Sequence, residues 1–276
     1  MTYFDNITEI LSSIEKYPDG ENNILPTALY NEGWMLRLVL NWFSKNPETG
    51  FRISFNKEAR WFSEGGLEPA FAGGEGYTAA DGIYGNFTVG TQGALSHKNN
   101  VKARGISDIR PEKNCGQFVV IEAKMCSGFS TGITRDGKYN QAARYLACMS
   151  HVLHEAKIDI NTIKDLAFYV LLPKWRKSNS TINKFLQKEK VIDVVKERLE
   201  KTVGCDTSSE RVKWFKNAFL PFMEKVLIKP IAWEEILDFI KKADKDAYEI
   251  LNEFYLMCRR FNGLKPEDLV DLSLLD

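Results

Sequence analysis

The sequence predicts an α/β protein with a mixed central sheet flanked by helices and a mostly helical carboxyl-terminal portion, and three features carry that expectation. Residues 118–121 (Phe-Val-Val-Ile) and 166–172 (Leu-Ala-Phe-Tyr-Val-Leu-Leu) are short apolar runs, as strands buried on both faces are. Between them Leu146, Met149 and Leu153 recur at the spacing of one helix face. Setting aside a first helix and the segment 51–63, the order to residue 173 is helix, strand, strand, strand, helix, strand.

Composition allows such a core. Of 276 residues 44% are hydrophobic, and the 37 basic residues balance 37 acidic ones. Zero net charge argues against a protein that coats nucleic acid nonspecifically, although a local basic patch still permits binding. The cysteines Cys115, Cys126, Cys148, Cys205 and Cys258 are odd in number and form no CxxC pair, so neither a disulfide framework nor a zinc site is expected. The start of the chain has no basic-then-apolar run, and no stretch reaches the length of a membrane span. A cytoplasmic protein without membrane contact is the expectation.

In chain order, Ile7, Ile10, Leu11 and Ile14 mark a first helix, closed by Pro-Asp-Gly. Residues 25–46 read as a long second helix. Its apolar residues, among them Trp34, Leu36, Leu40 and Phe43, cover so much of the circumference that deep burial is predicted for all of them. Residues 51–63 suggest a strand and turn. The glycine-rich stretch from Gly65 to Gly76 reads as a loop, without the GK[ST] of a phosphate-binding loop. Residues 80–90 read as a strand headed by Asp81, for which the local alternative is Asp-Gly turn chemistry. Lys98, Lys102 and Arg104 form a basic loop, either solvated or in contact with phosphate. Residues 102–111 and 117–124 then look like two strands joined by a turn at Asn114, Cys115 and Gly116.

The chemistry is expected at the end of the later strand. Glu122 and Lys124 are two apart and share a strand face. Asp108 and Glu122 are equidistant from Cys115, so a hairpin turning there sets them opposite one another on one face. On that geometry Asp108 is preferred to its rival Asp81 as the upstream carboxylate. Two adjacent carboxylates stay ionised only with a cation between them, and Mg2+ or Mn2+ suits an oxygen-rich site beside a phosphate. Such an ion neutralises phosphate charge and acidifies water, and Lys124 is placed to orient that water. Metal-dependent phosphodiester hydrolysis is the predicted reaction. Glu-x-Lys alone is a weak signal, since Glu155, Ala156 and Lys157 repeat it in a helical run.

Gln141 and Tyr145 follow, four apart on one helical stripe. Asp108, Glu122 with Lys124, and Gln141 with Tyr145 together resemble the PD-(D/E)XK nuclease superfamily, in particular its RecB-nuclease-like branch with a QxxxY helix. The likeness is one of pattern and covers roughly residues 25 to 175. It implies a restriction-endonuclease-like core and a nucleic-acid substrate, DNA rather than RNA. It also implies that Asp108 and Glu122 hold the metal, that Lys124 assists catalysis, and that Gln141 and Tyr145 contribute to the site. Glu32, near the start of the second helix, would complete the metal shell as a glutamate of the first core helix does in such folds; otherwise it is a carboxylate suited to a helix start.

Arg135 and Lys138 stand in a glycine-rich connection before this helix. From 174 to 190 come Lys174, Arg176, Lys177, Lys184, Lys188 and Lys190, interleaved with Trp175 and Phe185, which gives either a nucleic-acid grip or a solvated helix face. Residues 1–175 are thus read as the α/β core and 176–276 as a helical extension packed on it, with residues 227–233 as a last short strand and a dimer surface as one use of the helices. His97, His151 and His154 lack a third ligand and are read as structural. The alternative to a nuclease is a noncatalytic nucleic-acid-binding or interaction protein on the same scaffold.

Overall fold

The computed structural model describes residues 3–16, 24–47, 49–71, 78–90, 107–132, 136–203 and 209–262. Among these, seven strands join one mixed sheet: β1 (Arg60–Leu67), β2 (Thr78–Gly85), β3 (Phe87–Gly90), β4 (Ser107–Pro111), β5 (Gln117–Ala123), β6 (Asp165–Leu172) and β7 (Leu227–Ala232). Their order is β3-β4-β1-β2-β5-β6-β7. β5, β6 and β7 run parallel, whereas β2 is antiparallel to both β1 and β5. The chain is therefore α/β, as the apolar runs and the helix between them predict.

Helices cover both faces. The described ones are α1 (Tyr3–Lys16), α2 (Glu32–Lys45), α3 (Gln141–Glu155), α4 (Ser180–Phe185), α5 (Lys188–Val203), α6 (Glu210–Trp214), α7 (Leu220–Lys225), α8 (Trp233–Ala243) and α9 (Lys245–Phe261), with a π-helical turn at Phe215–Phe219 joining α6 to α7. β5 explains the layering, because alternate side chains leave it in opposite directions. Phe118 and Val120 enter a core shared with α3, α5 and the α6–α7 helix, and Val119, Ile121 and Ala123 enter one shared with α2, α8 and α9. Each large side chain buried this way contributes about 1.5–3 kcal/mol, so a fully buried strand is the natural centre of the sheet.

Helix starts follow local chemistry. The Asn31 side chain accepts the N–H of Trp34 at 3.0 Å and opens α2 after the Pro26–Ala28 3-10 turn. Asn140 likewise accepts from Ala143 at 3.0 Å, which makes Gln141 the first residue of α3.

The expected hairpin is corrected. A turn does form, with the Cys115 N–H donating to the Glu112 carbonyl at 2.9 Å, but the strands on either side of it are not partners. β4 pairs with β1 and β3, and both β1 and β2 stand between it and β5. Asn86 is one reason. Its side-chain oxygen accepts the N–H groups of Gly116 (3.1 Å) and Gln117 (3.0 Å), and its own N–H donates to the Gln117 carbonyl at 2.8 Å, drawing the start of β5 onto the end of β2. Gly85 permits this approach with φ at 135°, because a side chain there would overlap the Gln117 carbonyl.

Other expectations change as well. Gly65 and Gly66 lie inside β1, not in a loop. Asp81 and Gly82 do lie in a strand, β2, as expected, but inside it and not at its head; a Cβ on Gly82 would come within 2.9 Å of Leu36 and 3.0 Å of Leu40, so α2 rests directly on this glycine. Trp34, expected in the core, is 42% exposed. Carboxyl-terminal residues do not only pack on the core: β7 pairs with β6 over its whole length. Among the described residues no helix is long and apolar enough to cross a membrane. His97, Lys98, Lys102, Arg104, Arg135 and Cys205 lie outside the described residues.

Candidate active site

Glu122 and Lys124 sit at the carboxyl end of β5, where parallel strands of an α/β sheet leave a crevice for ligands. The Glu122 side chain is 1% exposed and ion-paired through Oε1 with the Lys124 ammonium. Gln141 donates to the same oxygen from Nε2 at 2.6 Å. Gln141 also accepts the Ser130 N–H at 3.3 Å through its side chain, and its own N–H donates to the Ser130 carbonyl at 3.1 Å, so the segment between β5 and α3 is tied to the acid.

The second carboxylate is Asp81. Gly82 pairs with Ile121 in the β2–β5 ladder, and one step further the same register sets Asp81 opposite Glu122. Asp81 Oδ2 accepts the Ala123 N–H at 2.7 Å. Burial, with the neighbouring Glu122 charge, pushes the Asp81 carboxyl up from its ordinary 3.8 to about 8, against the opposing pull of the Ala123 N–H and Lys124. The strand is interrupted here. Gly65 pairs with Ala80 and Ser63 with Gly82, but Glu64, opposite Asp81, has a φ of 57° and leaves the ladder. Ala80 and Ile83 reach the same core although three residues apart, so the in-out alternation of β2 breaks at Asp81. Glu64 adds its charge to the Asp81 neighbourhood and pairs with Arg37 of α2 at 3.5 Å.

Tyr145, one turn along α3 from Gln141, is 2% exposed and donates to the Ala79 carbonyl at 2.8 Å. Burial first, and then the charges of Glu122 and Asp81, hold its hydroxyl well above the usual tyrosine range. Glu122 Oε2 is buried with no hydrogen-bond partner among the described residues. An orphaned carboxylate oxygen is costly unless something meets it.

Lys124 is fixed through its backbone. Its N–H donates to the Leu171 carbonyl at 2.8 Å, and its carbonyl accepts from Trp233 Nε1 at 3.1 Å. Just beyond, the buried Arg176 donates from one guanidinium nitrogen to the carbonyls of Ser127 (2.6 Å) and Met125 (3.4 Å). Sequence reasoning missed Trp233 and Arg176 in these roles. Arg176 was counted among the basic residues of a surface stretch, and its position right after the β6 strand was the available signal.

Asp108 is not part of this group. It lies on β4, opposite Gly66 of β1 and Gly90 of β3, and pairs with Arg110 at 2.8 Å. The separation from β5 is three strand spacings, about 14 Å along the sheet. Glu32 is half-buried in the first turn of α2, and its charge acts on the Cys258 thiol. The charges that act on Asp81 are those of Glu122, Lys124 and Glu64, and Glu32 is not among them. Helical spacing nevertheless places Glu32 on the stripe of Leu36 and Leu40 that rests on Gly82.

Half of the basic residues in 174–190 are committed elsewhere: Lys177 to Glu235, Lys188 to the Glu224 carbonyl at 2.9 Å, Lys190 to Asp193 at 3.7 Å. Lys138 meets Glu197 at 3.6 Å. A cavity of about 770 Å³ lies elsewhere, between the far half of α3 and the π-helical turn, lined by Ser150, His154, Asn217 and Lys225. Among the described residues no three His, Cys, Asp or Glu side chains cluster as metal ligands. Asp81 and Glu122 form a pair, which suffices for an ion that keeps several waters. No family model, curated protein or solved structure matches the chain.

Proposed function

We propose that the protein is a metal-dependent nuclease of the PD-(D/E)XK kind on a restriction-endonuclease-like core, with Asp81 in the place first expected of Asp108. The observation that carries this reading is the meeting of Asp81 and Glu122 beside Lys124, with Glu122 Oε2 buried and unpartnered. That orphaned oxygen and the crowded Asp81 carboxyl fit a small oxygen-seeking cation. Mg2+ or Mn2+ held by the two carboxylates would supply charge neutralisation at a scissile phosphate and an acidified water.

The chain's own groups do the rest. Lys124, 12% exposed, carries positive charge to the mouth of the site, where it can hold the attacking water and offset charge growing on the phosphate. Gln141 keeps Glu122 in one rotamer, and Tyr145 anchors β2 beside Asp81 without reaching solvent. Glu32, whose charge acts on the Cys258 thiol and not on Asp81, is left out of the ligand shell. DNA is the substrate that the resemblance favours.

Incubation of purified protein with supercoiled, linear and single-stranded DNA and with RNA, with and without Mn2+, tests this reading beside Lys124→Ala. Cleavage that needs the ion and vanishes in the variant is the expected result. Unchanged nicking by Lys124→Ala removes the lysine from the mechanism, and binding without cleavage on any substrate leaves the noncatalytic scaffold.

A further inference from the structure

The chain has six tryptophans, and two behave unlike the rest. Trp42, Trp214 and Trp233 are buried and Trp61 is half-buried, but Trp34 is 42% and Trp175 56% exposed. A single exposed apolar residue calls for no explanation. These two share a construction and an address.

Each indole carries an arginine. The Arg37 guanidinium lies 4.9 Å from the Trp34 ring centre, and that of Arg176 lies 5.6 Å from Trp175. Each arginine is in turn tied to the candidate site. Arg37 pairs with Glu64, the residue opposite Asp81 whose charge reaches that carboxylate. Arg176 holds the carbonyls of Met125 and Ser127, directly after Lys124. Trp34 therefore belongs to the β1–β2 side of the carboxylates and Trp175 to the β6 side, with the β2 and β5 ends between them.

We infer that Trp34 and Trp175 are stacking platforms for unpaired bases of a single nucleic-acid strand that crosses the Asp81–Glu122 site. A ring held by its arginine offers a rigid π-surface at little entropic cost, and every base can stack on it. Two such rings on either side of one reaction centre suit a strand whose bases are free, because paired bases in a duplex have no face to give. Lys174, exposed next to Trp175, adds charge for the backbone. The inference deepens the nuclease reading and rests on it only for what happens to the bound strand.

Binding is measured without divalent ion, so that it is independent of cleavage. A fluorescein-labelled oligonucleotide, single-stranded or annealed to its complement, is titrated with wild type, Trp34→Ala, Trp175→Ala and the corresponding Phe variants, following anisotropy and tryptophan quenching. Tighter binding of the single strand, weakening of about fivefold to a hundredfold in each Ala variant, and substantial rescue by Phe are expected. Circular dichroism confirms that each variant is folded. Equal affinity of wild type and both Ala variants, preference for the duplex, or no binding of either form overturns the inference. Quenching and tight single-strand binding by a protein that never cleaves would sustain the platforms and sink the nuclease reading; Mn2+-dependent cleavage with unchanged affinity in both Ala variants does the reverse.

Discussion

The Asp81 carboxylate accepts the backbone N–H of Ala123 at 2.7 Å, which fastens it to the strand that presents Glu122 and Lys124 on either side of that alanine. One hydrogen bond thus joins the carboxylate of β2 to the acid and the base of β5. It also fixes Asp81 where a second negative charge is least comfortable.

The first prediction follows from that crowding. In the unfolded chain Asp81 gives up its proton near pH 4, whereas in the metal-free folded protein it keeps it to about pH 8. Folding takes up a proton between these values, so stability falls as pH rises through that window, by up to about 6 kcal/mol from this group. Urea unfolding of metal-free wild type and Asp81→Asn from pH 4 to 9 checks it. The variant keeps an acceptor for the Ala123 N–H and should show a flatter profile and greater stability above pH 8.

Glu122 and Lys124 make a second case. Because the acid is buried, Lys124→Ala leaves its charge without the ammonium and should cost about 3 kcal/mol, as should Glu122→Ala from the other side. The double variant Glu122→Ala/Lys124→Ala should cost less than the sum of the two single losses. Thermal and urea unfolding of wild type and these three variants form the cycle, and strictly additive losses would show that the pair is not coupled.

Arg176 should act on turnover more than on folding. Its guanidinium sets the path of the chain immediately after Lys124, and a misplacement of about 1 Å costs about a hundredfold in rate. Arg176→Lys is therefore expected to lower kcat by about ten- to a hundredfold with KM nearly unchanged, measured on the best substrate of the cleavage assay. A change confined to KM would instead assign Arg176 to substrate contact.

Gly85→Ala tests what fixes the strand order. With φ at 135° and the Gln117 carbonyl in the way, an added methyl must displace backbone, at a cost of about 2–4 kcal/mol. Gly50→Ala, also at positive φ but in open space, should cost less, about 1 kcal/mol. Equal losses in the two would show that the Gln117 contact is unimportant.

Much of this site was legible in sequence because its strongest signals are local. The apolar run of β5 identified a buried strand, two-residue spacing aimed Glu122 and Lys124 together, and four-residue spacing aligned Gln141 and Tyr145 on α3. Strand partnership is not local. The rule that opposed residues share a face was sound, but it was applied to β4, the strand nearest in sequence, when the partner is β2; sequence neighbours are partners only about two-thirds of the time. Asp81-Gly82 leaves turn chemistry open beside the strand reading because nothing in the pair itself reveals that α2 rests on the glycine. Trp34 looked like core for a related reason, since periodicity shows a crowded circumference and not which part of it faces solvent.

The choice between Asp81 and Asp108 is the most direct test of the whole account. Isothermal titration of Mn2+ into wild type, Asp81→Asn and Asp108→Asn should show binding lost or weakened at least tenfold in the first variant and unchanged in the second. Loss in Asp108→Asn with full binding retained by Asp81→Asn would contradict the site described above.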